Sequence, residues 1–218
     1  MVRRCRVGSN LIKRWLFYIV GLIILALGIS LTIKGRLLGL GSWDVLHYGL
    51  WQTFGLTIGS WAIIAGATIV LFTAVITRRL PKLGVYINMV AVGVFIDIFN
   101  WLIPEFEGWT QHIFIFTLGL LVMAFGVAFY ITPNLGAGPR DTLMLLLVEK
   151  FGLKISMARN IMELGAAVAG YLLGGPVFIG TVVIIVGLGK LIEMWLPLTR
   201  RLLVSFLGGE DDEIIRII

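Results

Sequence analysis

Residues 38–58, LGLGSWDVLHYGLWQTFGLTI, and residues 135–155, LGAGPRDTLMLLLVEKFGLKI, are one segment written twice. They align without a gap at an offset of 97, and ten of the 21 pairs are identical. These are Leu38/Leu135, Gly39/Gly136, Gly41/Gly138, Asp44/Asp141, Leu46/Leu143, Leu50/Leu147, Phe54/Phe151, Gly55/Gly152, Leu56/Leu153 and Ile58/Ile155. Agreement of this kind marks an internal duplication. The likeness continues outward. Gly21, Ala26 and Gly28 match Gly119, Ala124 and Gly126, and beyond the segment Gly84, Gly93 and Asp97 match Gly180, Gly189 and Glu193. The chain therefore reads as two halves, 1–104 and 105–201, with a cytoplasmic tail over 202–218.

Composition sets the solvent for both halves. Of 218 residues, 59% are hydrophobic and 14% charged, and the mean hydropathy is +1.00. That leaves too few polar side chains to cover a water-soluble surface. The pI of 9.8 would suit a nucleic-acid binder, but the basic residues flank apolar stretches instead of forming a patch, so no nucleic acid is expected as a partner. Cys5 is the one cysteine, which rules out a disulfide within the chain. The apolar run over 16–33 is too long for the core of a signal peptide and reads as an uncleaved first membrane helix.

Six stretches can cross about 30 Å of hydrocarbon at a rise of about 1.5 Å per residue. They are 14–34, 58–77, 83–104, 112–132, 156–174 and 177–197. Two further apolar pieces, 42–54 and 139–151, would reach only about 18 Å as helices, and these are the duplicated segments. If they do not cross, Arg3, Arg4, Arg6, Lys13, Arg14, Arg78, Arg79, Lys82, Lys150, Lys154, Arg200 and Arg201 share one side. The other side holds Lys34 and Arg36 with an acidic turn carrying Glu105 and Glu107. Twelve against two places both termini in the cytoplasm of a bacterial cell, with the chain in its inner membrane. Each half then crosses three times, an odd number, so the second half is inserted upside down. The expected fold class is an all-α polytopic membrane protein with an inverted-topology repeat, each half having three transmembrane helices and one short helix.

Each duplicated segment reads as a glycine turn, a short helix and a glycine stop. Gly39-x-Gly41 and Gly136-x-Gly138 supply the turn, Pro139 suits the first helical position, and Gly55 and Gly152 close the helix. Asp44 and Asp141 fall near the third helical position, where a carboxylate meets free N–H groups. One reading makes them simple caps on helices lying at the membrane surface. The other has each short helix dip in and return, its N-terminus aimed at mid-bilayer, which requires burial in protein or a watery cavity. The second reading brings Ser42, Asp44, Arg140 and Asp141 to one central polar site, with His47 on the Asp44 face as a relay or a structural histidine.

Ionisable residues inside spans are costly and normally face protein. Asp97 and its repeat mate Glu193 belong here, as do Arg159 and Glu163, four apart and expected to pair, and Lys190 and Glu193, expected to neutralise each other. Asn88 is a candidate interhelical hydrogen-bonding residue. His112 is assigned to an exterior turn. Two distant histidines and one cysteine make no metal site, and no cofactor is expected.

The stretches LGLGSWDVLH (38–47), FGLTIGSW (54–61), GVFIDIF (93–99), LGAGPRDTLM (135–144) and ARNIMELG (158–165) resemble the YczE/YyaS/YitT group of bacterial integral membrane proteins, the YczE branch above all. The resemblance covers about 14–197 and implies a multi-pass inner-membrane protein. Asp44, Asp97, Arg140, Asp141, Arg159 and Glu163 stand where that pattern has the same residues. Ser42 stands where proline is usual, and Lys190 and Glu193 replace a proline and an amide. YitT relatives commonly carry a further cytosolic domain at the C-terminus, which is not expected here.

Three function classes follow. A small secondary transporter or channel for a small polar or ionic solute accounts for the repeat, the half-length helices and the buried charges. Its site residues would be Ser42, Asp44, His47, Arg140 and Asp141, with Asp97, Arg159 and Glu163 as buried ionisable or coupling groups. A non-transporting accessory or regulatory membrane protein, tied to export or secondary-metabolite production, is the alternative. An enzyme is not expected, because G-x-S-x-G, H-E-x-x-H and a nucleotide loop are all missing. The partners implied are the lipid bilayer and a small-molecule or ionic substrate, with a homo-oligomer or a membrane partner as further candidates.

Overall fold

The computed structural model describes the backbone of residues 2–78, 80–136 and 138–208, with side chains from Asn10 onward except that of Ser156. Eight α-helices appear among these residues: α1 (Val2–Lys34), α2 (Ser42–Phe54), α3 (Ile58–Thr77), α4 (Leu83–Leu102), α5 (Trp109–Ile131), α6 (Pro139–Phe151), α7 (Ile155–Leu172) and α8 (Ile179–Leu207). Five of them, α1 over Asn10–Lys34 with α3, α4, α5 and α8, are long and apolar enough to cross a membrane. The chain is an all-α polytopic membrane protein. The sixth expected span forms as α7, but Arg159, Asn160 and Glu163 near its start set it apart from those five. The last helix does not stop at 197. It continues through Pro197 to Leu207, so the tail expected from 202 begins as helix, and residues 209–218 lie outside the described residues.

The centre of the fold is α1. Buried residues make up 67% of its most apolar stretch, against 17% for α8. It packs along α5, and small residues bring the two backbones together. A Cβ on Gly21 would lie 2.6 Å from the Tyr130 amide nitrogen, and one on Gly119 would lie 2.7 Å from that of Thr32. Gly28 meets the Met123 backbone, Gly126 meets that of Leu25, and Gly35 meets Phe116 in the same way. As the number rises on α1 it falls by the same amount on α5, so the two helices run antiparallel. They are also repeat mates: the Gly21–Tyr130 and Gly119–Thr32 contacts, and likewise those of Gly28 and Gly126, exchange when the halves are exchanged.

The same exchange governs the rest of the frame. Helix α1 packs on α4 and α5 on α8, while α2 packs on α7 and α6 on α3, so each short helix is seated against the other half. The first glycine of each motif shows why. Gly39 has φ +96° and Gly136 φ +150°, conformations that side chains resist. A Cβ on Gly39 would lie 2.6 Å from the Phe178 amide nitrogen beside α8, and one on Gly136 3.1 Å from Gly84 Cα on α4. In turn, Cβ atoms on Gly84 and Gly180 would each lie 2.5 Å from a carbonyl oxygen, that of Leu135 and that of Leu38 respectively. Tyr18 fastens one of these corners, its hydroxyl donating to the Gly84 carbonyl at 2.8 Å and lying 3.3 Å from that of Gly136.

The halves differ where α3 meets α4 and α7 meets α8. Gly59 and Gly93 press α3 against α4, and the Asp97 carboxylate accepts from the Gly59 N–H at 2.8 Å and the Thr57 hydroxyl at 2.5 Å. At the equivalent place on α8, a Cβ on Gly189 would meet nothing within 4 Å, and the same holds for Gly187.

At the end of α1, Lys34 donates to Glu105 at 2.6 Å and Arg36, just beyond, to its other oxygen at 2.7 Å, closing the end of α1 onto the turn before α5. Burial alone would raise the Glu105 carboxyl, but the hydrogen bonds from Lys34 and Arg36 outweigh it and hold its pKa below the ordinary 4.5.

Two predictions follow from this packing. Gly28→Ala and Gly126→Ala lower the melting temperature of purified protein, each costing about 1–3 kcal/mol through overpacking, while Gly187→Ala leaves it unchanged; equal melting of all three variants would contradict direct backbone contact. A carboxyl depressed in the folded state adds stability above its unfolded pKa and loses it as pH falls through the folded one. The melting difference between wild type and Glu105→Gln is therefore full at pH 7 and shrinks below pH 4.5; a gap that grows on acidification would contradict the Lys34–Glu105–Arg36 tie.

Candidate functional site

Exchange of the short helices between halves brings their N-termini to a common cavity of about 370 Å³. Gly41 and Gly138 are the N-caps and Pro139 is the first residue of α6, as its fixed φ favours. The polar lining comes from six helices: Asp44 and His47 on α2, Asn88 on α4, Tyr130 on α5, Arg140 and Asp141 on α6, Arg159 and Glu163 on α7, and Glu193 on α8. Trp43 and the methionines at 89, 123, 144 and 162 supply much of the apolar wall. A second depression of about 500 Å³ between the end of α3 and α6 includes Thr73, Leu146, Glu149 and Lys150, and it gathers neither motif aspartate.

The two aspartates are equivalent in sequence but not in contact. Asp141 accepts from the Gly138 N–H at 3.2 Å and so caps its own helix. Asp44 lies over Gly41, its Oδ2 2.9 Å from where a Cβ would stand, and its Oδ1 makes no hydrogen bond. Its charged neighbour is the Arg140 guanidinium at 3.7 Å, and the imidazole Nδ1 of His47 lies 4.0 Å away. The first distance makes an ion pair, and neither makes a hydrogen bond. The Arg140 guanidinium is also 5.1 Å from the centre of the Trp43 ring, within range of a cation–π contact. Trp43 Nε1, His47 Nδ1 and Asn88 Nδ2 are likewise buried without a hydrogen-bond partner in the protein, a costly state for polar groups.

Asp44, His47, Arg140, Asp141, Arg159 and Glu163 thus share one cavity, whereas Ser42, expected in the central site, and Asp97, expected as a buried ionisable group, do not line it. Ser42 is buried with its hydroxyl unpartnered and is absent from the lining. Asp97 lies away from the cavity because the free N–H groups at the start of α3 draw its carboxylate. The expected ion pairs also fail: among the described residues, no contact within 4.0 Å joins Arg159 to Glu163 or Lys190 to Glu193. Spacing permits such pairs, but Arg159, Glu163 and Glu193 all border the cavity instead. His112, assigned to a turn, is a buried residue of α5. Sequence reasoning missed Trp43 and Tyr130 as lining. Trp43 sat between two residues already singled out, whereas Tyr130 carried no signal. No group of three or more His, Cys, Asp or Glu side chains among the described residues is placed to hold a metal ion.

Comparison with known proteins places the chain among membrane proteins of one kind. A family of unknown function, DUF6198, matches residues 12–197. The uncharacterized membrane protein YczE of Bacillus subtilis (strain 168) is 48% identical over 195 residues, covering 89% of this chain and 91% of that protein. The uncharacterized protein YyaS of the same organism is 28% identical over 195 residues, covering 88% and 96% of the two chains. An uncharacterized protein of Haemophilus influenzae is 32% identical over 181 residues, covering 82% and 81%. No solved structure matches the chain. The matched length, and the motifs it contains, show that this chain belongs to the DUF6198 family of YczE-type membrane proteins.

Proposed function

We propose that the chain is a small secondary transporter or channel that passes a small polar or ionic solute through the central cavity, without covalent chemistry. In this reading the halves are inserted in opposite senses, and α1, α3, α4, α5, α7 and α8 span the bacterial inner membrane. Helices α2 and α6 re-enter with their N-termini at the cavity, and both termini are cytoplasmic. Support comes from the antiparallel approach of the repeat mates α1 and α5, and from the seating of each short helix in the opposite half.

The observation that carries the reading is the unequal packing of equivalent helices. Asp97 and the Gly59–Gly93 contact latch α3 to α4, while Gly189 on α8 faces open space. In the orientation set by the basic residues, the latch is at the outer end and the gap at the inner end. A repeat protein built this way reaches the opposite state when the halves swap arrangements. Glu193 would then seat on the start of α7 as Asp97 does on α3, with Gly189 meeting the first turn at residue 156.

Oxidative cross-linking tests this directly. Ser156→Cys with Gly189→Cys, in a Cys5→Ser background, forms a disulfide slowly in native membranes, and faster when Asp97→Asn weakens the latch. No cross-link in either background would remove the case for alternating access.

A further inference from the structure

We propose that the cavity selects a small organic cation, a protonated or quaternary amine with an aliphatic or aromatic body. The inference deepens the transport reading and rests on it for its biological sense, but binding can be tested separately. Charge is the first argument. Four carboxylates line the cavity, Asp44, Asp141, Glu163 and Glu193, against two guanidiniums, Arg140 and Arg159. With His47 neutral, two negative charges are in excess, and an enclosed excess of this kind is relieved by protons or by a cation.

Helix N-termini would ordinarily favour an anion, but here each already has a carboxylate at it. Asp141 accepts from the Gly138 N–H, and Asp44 stands beside Gly41, so a further anion at either place would meet a like charge. Arg159 and Arg140 remain as attractions for an anion: Arg159 is one charge facing Asp141, Glu163 and Glu193 across the same lining, and the Arg140 guanidinium is already held by Asp44 at 3.7 Å and by the face of Trp43. It shows what this corner accepts. Its side chain is 42% exposed while that of Asp44 is 5% exposed, so the cation reaches in from the open cavity to a buried carboxylate. An incoming cation can take its place beside Asp44: a protonated amine by donating an N–H to the Oδ1 that makes no hydrogen bond, a quaternary amine by charge alone.

The walls choose an organic cation over a metal ion. Hard cations need six or more oxygen ligands in a tight shell, and among the described residues no metal-ligating cluster is present. Instead Trp43, Tyr130 and four methionines offer π faces and polarisable thioethers, which suit an ammonium with an apolar body. The unpartnered Asn88 amide, 7% exposed, can hold one polar substituent.

Two aryl probes of opposite charge, benzyltrimethylammonium and benzenesulfonate, separate the alternatives by isothermal titration into the full-length protein in detergent. The cation is expected to bind saturably and the anion not at all. Asp44→Asn should weaken the cation about tenfold, the loss of one charged partner, and Arg140→Gln should tighten it by removing the resident competitor. If Asp44→Asn fails to fold, Arg140→Gln decides alone. Binding of benzenesulfonate, binding of neither probe, or cation affinity unmoved or weakened in Arg140→Gln would each overturn the proposal. Benzenesulfonate binding with an intact 156–189 cross-link would sink the cation assignment alone. Cation binding without that cross-link would sink alternating access and leave the site.

Discussion

Everything in this fold hangs on the close approach of α1 and α5, two copies of one helix laid against each other in opposite directions. Between lipid-exposed helices there is no hydrophobic gain from burial, so association depends on how closely the backbones fit. Gly21 and Gly28 on one helix, with Gly119 and Gly126 on the other, remove the side chains that would hold them apart. Because the glycines are repeat mates, one substitution pattern serves both sides of the contact. The duplication therefore duplicates the surface that joins its own products.

Antiparallel joining has a consequence for the short helices. Each glycine turn is pressed against the start of the final helix in the opposite half, Gly39 beside Phe178 and Thr181, Gly136 beside Gly84. That anchoring turns α2 and α6 towards a shared cavity and brings Asp44 within ion-pairing distance of Arg140. The copies then diverge: Pro139 and Arg140 stand where the first copy has Ser42 and Trp43. Arg140 and Trp43 come from equivalent positions and lie within cation–π range of each other, so the asymmetry of the motif is itself a contact in the site.

Local structure was legible to an unusual degree. The bounds of α2, α3 and α6 follow the sequence reading, 42–54, 58–77 and 139–151, since glycine, proline and threonine punctuate every end but the last of α3, where Arg78 turns left-handed. Pairing was not legible. Arg159 and Glu163 stand at helical spacing, yet the cavity competes for both side chains, a tertiary effect that spacing cannot register. Asp97 carried the mark of a buried charge, but its partner is the backbone at the start of α3, which becomes visible only once α3 and α4 are packed. Tyr130 offered nothing to read, as an aromatic near a helix end is common. The extension of α8 past residue 197 is not legible in an apolar span, because a helix can continue beyond the hydrocarbon; it runs through Pro197 to Leu207.

The central claim is that the two halves cross the membrane in opposite senses around the α1–α5 contact. Its most direct test is the sidedness of single cysteines, placed one at a time in a Cys5→Ser background and exposed to a membrane-impermeant maleimide in intact cells. Glu107→Cys should label at once, while Lys82→Cys and Lys150→Cys should label only after permeabilisation. Labelling of position 82 or 150 in intact cells would mean that a short helix crosses the membrane, and the inverted arrangement would be wrong.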